Sequence, residues 1–209
     1  MNITNILSKL AAKEPGIMGL ENFRRSSVLI PLVEVEGEVH ILFEVRSMQM
    51  RRQPGDICFP GGRIDPSDKT PMECAIRETS EELGITKENI VHVTPIDYVV
   101  SDMGRIIYPY VGQLTDINKI ILNEMEVGEI FTVPLAHFQA TTPDTYKVKV
   151  NVIPEDNFPF ELIVGGENYN WQIQHIEELF YRYEDRVIWG LTAKILRHFC
   201  QLISNENRS

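Results

Sequence analysis

Apolar residues recur at two spacings along this chain, and the change from one to the other predicts its elements. Ile3, Ile6, Leu7 and Leu10 fall three and four apart, which predicts an amphipathic N-terminal helix over about residues 1–13 that packs through its apolar stripe and stops before Pro15. Val28 to Val35 and Val39 to Val45 are β-branched runs split by Glu36-Gly37-Glu38, the pattern of a hairpin. Val91 to Val100 and Ile106 to Leu114 predict further strands, with Pro95 and Pro109 at edges, bulges or ends and a turn at Ser101 to Arg105. Residues 115–128 read as a polar connection, Ile130 to Val133 as a strand, and Pro134 as the opening of a short helix around Leu135 to Phe138. Tyr146 to Ile153, Phe160 to Val164 and Trp171 to Ile176 read as strands able to pair, with a turn at Gly165-Gly166. A C-terminal helix over about residues 188–203 carries the stripe Leu191, Ile195 and Phe199. Strands interleaved with few helices predict an α/β or α+β sandwich.

One further helix carries chemistry. Thr70 can cap its N-terminus, Pro71 suits the first helical position, Glu73 completes a capping box, and Gly84 can close the C-terminus in the left-handed conformation. Met72, Ile76, Thr79 and Leu83 make a core stripe, while Glu78, Glu81 and Glu82 lie three and four apart on another face. Like charges so placed repel, and a hard divalent cation such as Mg²⁺, which takes oxygen ligands from one or two carboxylates plus substrate phosphates, removes that penalty. A solvated acidic helix face fits the same three residues, and the helix alone does not choose between the two.

Composition narrows the partners. The 209 residues suit one domain, and a mean hydropathy of -0.14 with 43% hydrophobic residues is ordinary for a globular chain. No run reaches the roughly 18 apolar residues of a membrane span, and residues 1–20 lack a basic start followed by an apolar core, so a cytoplasmic location without membrane attachment is expected. Cys58, Cys74 and Cys200 are odd in number and far apart, as reduced structural thiols are. A net charge of -10 argues against nucleic-acid binding. Against that background Arg46, Arg51, Arg52 and Arg63 form a local basic patch suited to the polyanionic end of a small-molecule substrate, although solvated arginines covering apolar surface would look the same. The five histidines show no ligand spacing, and Trp171 and Trp189 read as core anchors.

The glycine turn Phe59-Pro60-Gly61-Gly62 and the run Arg77-Glu78-Thr79-Ser80-Glu81-Glu82-Leu83-Gly84-Ile85 together resemble the signature of the Nudix hydrolase family. The first half departs from it: Asp68 stands where the family has Glu, and eight residues, not seven, separate Asp68 from Arg77. Upstream, Leu42 to Ser47, Arg51, Gly55 and Phe59 to Gly62 are similar to the motif of the coenzyme A pyrophosphatase branch, which often has Thr at the position of Glu44, and Val187 to Ala193 is similar to the same branch. The resemblance spans about residues 25 to 200. It implies a single Nudix domain over 1–209, an α/β/α sandwich with a mixed sheet and the signature loop-helix-loop. It implies metal-dependent hydrolysis of coenzyme A or its thioesters to 3′,5′-ADP and 4′-phosphopantetheine or its acyl form. Glu78 and Glu82 would then bind Mg²⁺ or Mn²⁺, Glu81 would add a ligand or orient water, and Arg77 would hold the glutamates. Gly61, Gly62 and the four arginines would meet the substrate. A general base would come from the helix or from a later loop, with Glu126 the first loop candidate and Glu124 the next. The alternatives are cleavage of another nucleoside diphosphate derivative such as ADP-ribose, and a non-catalytic nucleotide-sensing module. A homodimer is possible under any of these.

Overall fold

A computed structural model describes residues 2–11, 13–101, 104–171 and 174–204. The N-terminal helix forms as α1 (Ile3–Ala11), but it buries no residue: Ile3, Ile6, Leu7 and Leu10 are all exposed, so the expected packing of its stripe is not seen. Periodicity gave the helix; nothing in nine residues fixes what covers it.

The hairpin is the frame of the large sheet. β1 (Arg24–Val35) and β2 (Glu38–Arg46) pair antiparallel from Leu32 opposite Ile41 to Val35 opposite Glu38, around a turn in which Glu36 and Gly37 have φ of 53° and 84°. Two left-handed residues match the twist of the flanking strands. Toward the start of β1 the two strands separate, and β3 (Ile57–Cys58) pairs with β2 there while β4 (Gly61–Arg63) pairs with β1. The glycine turn is thereby wedged between the two central strands.

Helix α2 (Pro71–Leu83) follows, and then β5 (Ile90–Pro95), β6 (Val99–Ser101) and β7 (Arg105–Leu114). β7 runs parallel to β1 and takes β5 and β6 on its other side; Pro109 lies where its partner changes from β6 to β5, so the ring costs no ladder bond. The single run expected over residues 91–100 is therefore two strands. Asp102 and Met103 of the expected turn lie outside the described residues. β8 (Val127–Pro134) pairs with the outer edge of β2 and leads into α3 (Leu135–Ala140).

A second sheet has the order β11-β10-β9, with β9 at Asp144–Val150, β10 at Gln174–Tyr183 and β11 at Arg186–Trp189. Residues 160–164 are not a strand. Phe160–Leu162 is a 3₁₀ turn beside a local cluster in which Phe158 contacts Phe160 and Trp171, and Trp171 contacts Tyr169. The expected strand over 171–176 begins only at Gln174 and runs on to Tyr183; Gln172 and Ile173 lie outside the described residues. The C-terminal helix α4 (Gly190–Ile203) starts two residues later than expected, because residues 186–189 extend to pair with β10. Trp189 is exposed and stacks on Phe180 instead of anchoring the core.

Successive strand residues face opposite ways, and each face has its own cover. Leu29, Val33 and Leu42 pack with Ala75 and Leu83 of α2. Ile30, Ile41 and Phe43 pack with Phe138 of α3, Leu179 and Tyr181 of β10, and Leu196 and Phe199 of α4. The result is a mixed sheet between helical layers, and truncating a fully buried residue such as Leu83 to Ala would cost about 2–5 kcal/mol.

Candidate active site

The orientation of α2 sets the site. Thr70 Oγ1 accepts from the Glu73 amide at 3.1 Å, Glu73 Oε2 accepts from the Lys69 amide at 2.9 Å, and Gly84 closes the helix at φ 59°. Burial of Ala75, Thr79 and Leu83 against the sheet fixes its rotation, and this separates the three glutamates. Glu82 turns inward, 4% exposed, and its Oε2 accepts from the Gly61 amide at 2.8 Å. Glu78, one turn earlier, is half-buried over Gly62, where any Cβ would overlap its carboxylate. Glu81 faces solvent.

Arg77 ties this rim together. Its Nε and Nη2 donate to the two oxygens of Asp68, both at 2.9 Å, while Nη1 reaches Glu78 Oε1 at 2.9 Å and Glu81 Oε2 at 3.1 Å. The hydrogen bonds from Arg77 hold the Asp68 carboxyl well below the usual range. Asp68, offset from the family position by one residue, therefore still meets the signature arginine.

Glu126 arrives from a loop that docks on the end of α2. The Ile121 amide donates to Leu83 O at 3.0 Å, the Asn123 amide to Glu82 O at 3.0 Å, and the Ser47 amide to Glu126 O at 2.8 Å. Glu126 thereby acts as a like charge on Glu44, Glu78 and Glu82, whereas Glu124 is exposed.

The sequence pattern does not single out Glu44. It shares a strand face with Leu42, the face covered by α2, and is 1% exposed. Its Oε1 accepts from the Cys58 thiol at 3.3 Å; its Oε2 is buried with no hydrogen-bond partner among the described residues. A charged residue at an inward position of an apolar strand was the available signal. Burial pushes both Glu44 and Glu82 above the usual carboxylate range, with the Glu44 charge the next cause for Glu82. Burial also raises Glu78, against the pull of Arg77.

The arginine patch divides. Arg46 ends β2 half-buried, its Nε donating to Arg52 O at 3.4 Å, and Arg51 and Arg52 are exposed on the loop that follows. Arg63 lies on a cleft of about 600 Å³ lined also by Phe23, Arg25, Ile64, Asp65, Pro66 and Asp68, and that lining includes none of the other three. Arg25 is a basic neighbour that the patch omitted; its guanidinium stands 5.5 Å from the centre of the Tyr108 ring.

Among the described residues, no three acidic, histidine or cysteine side chains stand close enough, as they lie, to hold an ion. The donor chemistry nonetheless fits a hard divalent cation. Two buried carboxylates repel each other beside two more, one oxygen has no partner, and all the donors are oxygens. Mixed sheet, helical cover and this acidic centre suit a hydrolase of phosphate compounds that works with a divalent cation. A NUDIX domain model matches residues 23–154, and the chain belongs to the Nudix family. It is 32% identical over 200 residues to an uncharacterized Nudix hydrolase, NudL, of Yersinia enterocolitica, covering 94% of this chain and 89% of that one. It is 28% identical over 211 residues to Nudix hydrolase 3 of Caenorhabditis elegans, covering 98% and 84%. It is 38% identical over 112 residues to peroxisomal coenzyme A diphosphatase NUDT7 of Mus musculus, covering 54% of this chain and 48% of that protein. The fold is similar to that of a MutT/nudix family protein from Enterococcus faecalis, with TM-score 0.51 and 13% identity over 97% of this chain and 70% of that one. The protein is thus a pyrophosphohydrolase of a family that generally uses divalent metal ions and binds small nucleotide-derived substrates. Among the described residues, no helix is long and apolar enough to cross a membrane.

Proposed function

We propose that this protein hydrolyses the pyrophosphate bond of coenzyme A or its thioesters, releasing 3′,5′-ADP and 4′-phosphopantetheine or its acyl form. The observation that carries the reading is the pairing of the carboxylate centre with an arginine-bearing loop, Arg46 to Arg52, directly after the strand that bears Glu44. The match to mouse coenzyme A diphosphatase supports the substrate.

Glu78 and Glu82 would hold Mg²⁺ or Mn²⁺, which supplies charge neutralisation for the phosphates and a more acidic water. The Gly61 amide fixes the rotamer of Glu82, and Arg77, anchored by Asp68, fixes Glu78 and Glu81. Glu81, exposed, orients water at the rim. Glu126 is the candidate base, taking the proton of the attacking water as its oxygen bonds to phosphorus and the bridging P–O bond breaks, the second phosphate leaving with the bridging oxygen. Arg46, Arg51 and Arg52 bind the anionic groups of the substrate, and Arg63 meets it across the neighbouring cleft. Catalysis by such a site comes from positioning and electrostatic stabilisation. The free cysteines, buried or half-buried, suit a reducing compartment such as the cytoplasm.

Turnover of coenzyme A, acetyl-coenzyme A, ADP-ribose and other dinucleotides with Mg²⁺ and with Mn²⁺ tests the reading. Highest kcat/KM on coenzyme A or a thioester is expected. A preference for ADP-ribose replaces the substrate, and tight binding without turnover indicates a sensor.

A further inference from the structure

We propose that Glu44 is a carboxylate of the divalent-cation site, giving its Oε2 to the ion held by Glu82; the inference rests on the metal-dependent reading above. Three observations point the same way. Strand alternation places Glu44 with Leu42 on the face beneath α2, the side from which Glu82 comes in. The two carboxylates also meet the two ends of the glycine turn: Glu82 accepts from the Gly61 amide, and Glu44 lies opposite Cys58 in the β2–β3 pairing.

The third observation is the state of the oxygens. Oε1 takes the Cys58 thiol, but Oε2, fully buried, has no hydrogen-bond partner among the described residues. A buried carboxylate oxygen is not left bare at such a site without a reason, since the desolvation it suffers is otherwise uncompensated. Arg46 is the nearby positive charge, yet its Nε donates to Arg52 O and not to Glu44. The other charges that face Glu44, from Glu78, Glu82 and Glu126, are acidic. A hard cation is the partner such an all-oxygen, acidic surrounding accepts.

The test is Mn²⁺ binding to the full chain, followed by the electron paramagnetic resonance signal of free Mn²⁺, together with thermal midpoints in EDTA and in Mg²⁺. Glu44→Gln should weaken Mn²⁺ binding about tenfold or more and lose most of the Mg²⁺-dependent rise in midpoint, while its midpoint in EDTA is no lower than wild type. Cys58→Ala, which leaves the carboxylate in place and removes only the hydrogen bond to its other oxygen, should weaken Mn²⁺ binding less than Glu44→Gln does. If Glu44→Gln does not fold, Glu44→Leu serves, since it removes the charge and keeps an apolar filling. Wild-type Mn²⁺ affinity in either folded variant overturns the proposal. A wild-type protein that binds no Mn²⁺ overturns it along with the metal-dependent reading. Glu44-dependent Mn²⁺ binding in a protein that ignores coenzyme A sinks only the substrate.

Discussion

Gly62 and Glu78 share one space: a Cβ on residue 62 would overlap the Glu78 carboxylate. A Cβ on the preceding glycine meets something different, the carbonyl oxygen of Ser27 and the Cα of Val28, at a φ of 152°. Two adjacent glycines are therefore required for separate reasons, one for a side chain that can move and one for a backbone that cannot.

Gly62→Ala should accordingly keep the fold and lose chemistry. Displacing the Glu78 carboxylate by about an ångström is expected to lower kcat/KM about 100-fold, with a thermal midpoint within a few degrees of wild type. Gly61→Ala should do the reverse in emphasis, destabilising the protein by about 1–3 kcal/mol through strained backbone. Calorimetry and steady-state rates on both variants decide; a stable, fully active Gly62→Ala rejects the account.

Glu82 makes the metal-free protein sensitive to pH. Burial raises its folded pKa above the ordinary 4.5, the Glu44 charge is the next cause, Glu78 and Glu126 add to it, and the Gly61 amide opposes it. A raised folded pKa means that the folded state binds the proton more tightly, so the stabilisation is complete below the unfolded pKa and is lost as pH rises through the folded one. In EDTA, the thermal midpoint should fall as pH is raised from about 5 into the alkaline range. Glu82→Gln, which can still accept from Gly61, should flatten that slope while lowering kcat/KM in Mg²⁺ about 100-fold or more, a loss of about 2.7 kcal/mol of transition-state stabilisation. An unchanged slope would show that Glu82 is not the group responsible.

The parts legible in the sequence are those fixed by local pattern. The caps of α2, the hairpin at Glu36-Gly37 and the inward stripe of Leu83 each follow from a few neighbouring residues. What pattern could not supply is pairing across distance. The wedge of β3 and β4 depends on where β1 and β2 part, and this wedge is what brings Gly61 to Glu82 and Cys58 to Glu44. Glu82 illustrates the same limit within one helix. Spacing put the three glutamates on one polar face, but the close approach of α2 to the sheet buries Glu82 and leaves Glu81 in solvent. The strand expected over residues 171–176 runs on to Tyr183 as β10, through Glu177, Glu178 and Arg182, because only its inward residues Leu179 and Tyr181 need be apolar.

Asp68 is the anchor of Arg77, and its carboxyl is held below the usual range by the bonds from that guanidinium. A depressed folded pKa contributes stability above the unfolded value and loses it as pH falls through the folded one, so this pair weakens only in acid. Asp68→Asn breaks the two-pronged contact and should destabilise the protein by about 1.5–3 kcal/mol at neutral pH. It should also release Arg77 to Glu78 and Glu81 alone and lower kcat more than it raises KM. Denaturant unfolding and rate measurements test both; a neutral effect on stability would mean that Arg77 holds its place without Asp68.

Substrate choice gives the last test, because coenzyme A differs from dephospho-coenzyme A only by the 3′-phosphate. A site built for coenzyme A should offer that phosphate a guanidinium, and the loop after β2 supplies two candidates of different character. Arg51 is exposed and, among the described residues, its side chain makes no hydrogen bond, so its truncation leaves the loop intact. Arg46 is half-buried and also touches Arg52 O, so truncating it loosens the loop as well. If Arg51 meets the 3′-phosphate, Arg51→Ala should weaken coenzyme A by the equivalent of about 1.5–3 kcal/mol, the usual worth of a charge-assisted hydrogen bond, and leave dephospho-coenzyme A nearly unchanged. Arg46→Ala should weaken both substrates, and coenzyme A more. Equal losses on the two substrates for both variants would move these arginines to the shared pyrophosphate, and the 3′-phosphate contact would then have to be sought at Arg25 and Arg63 on the neighbouring cleft.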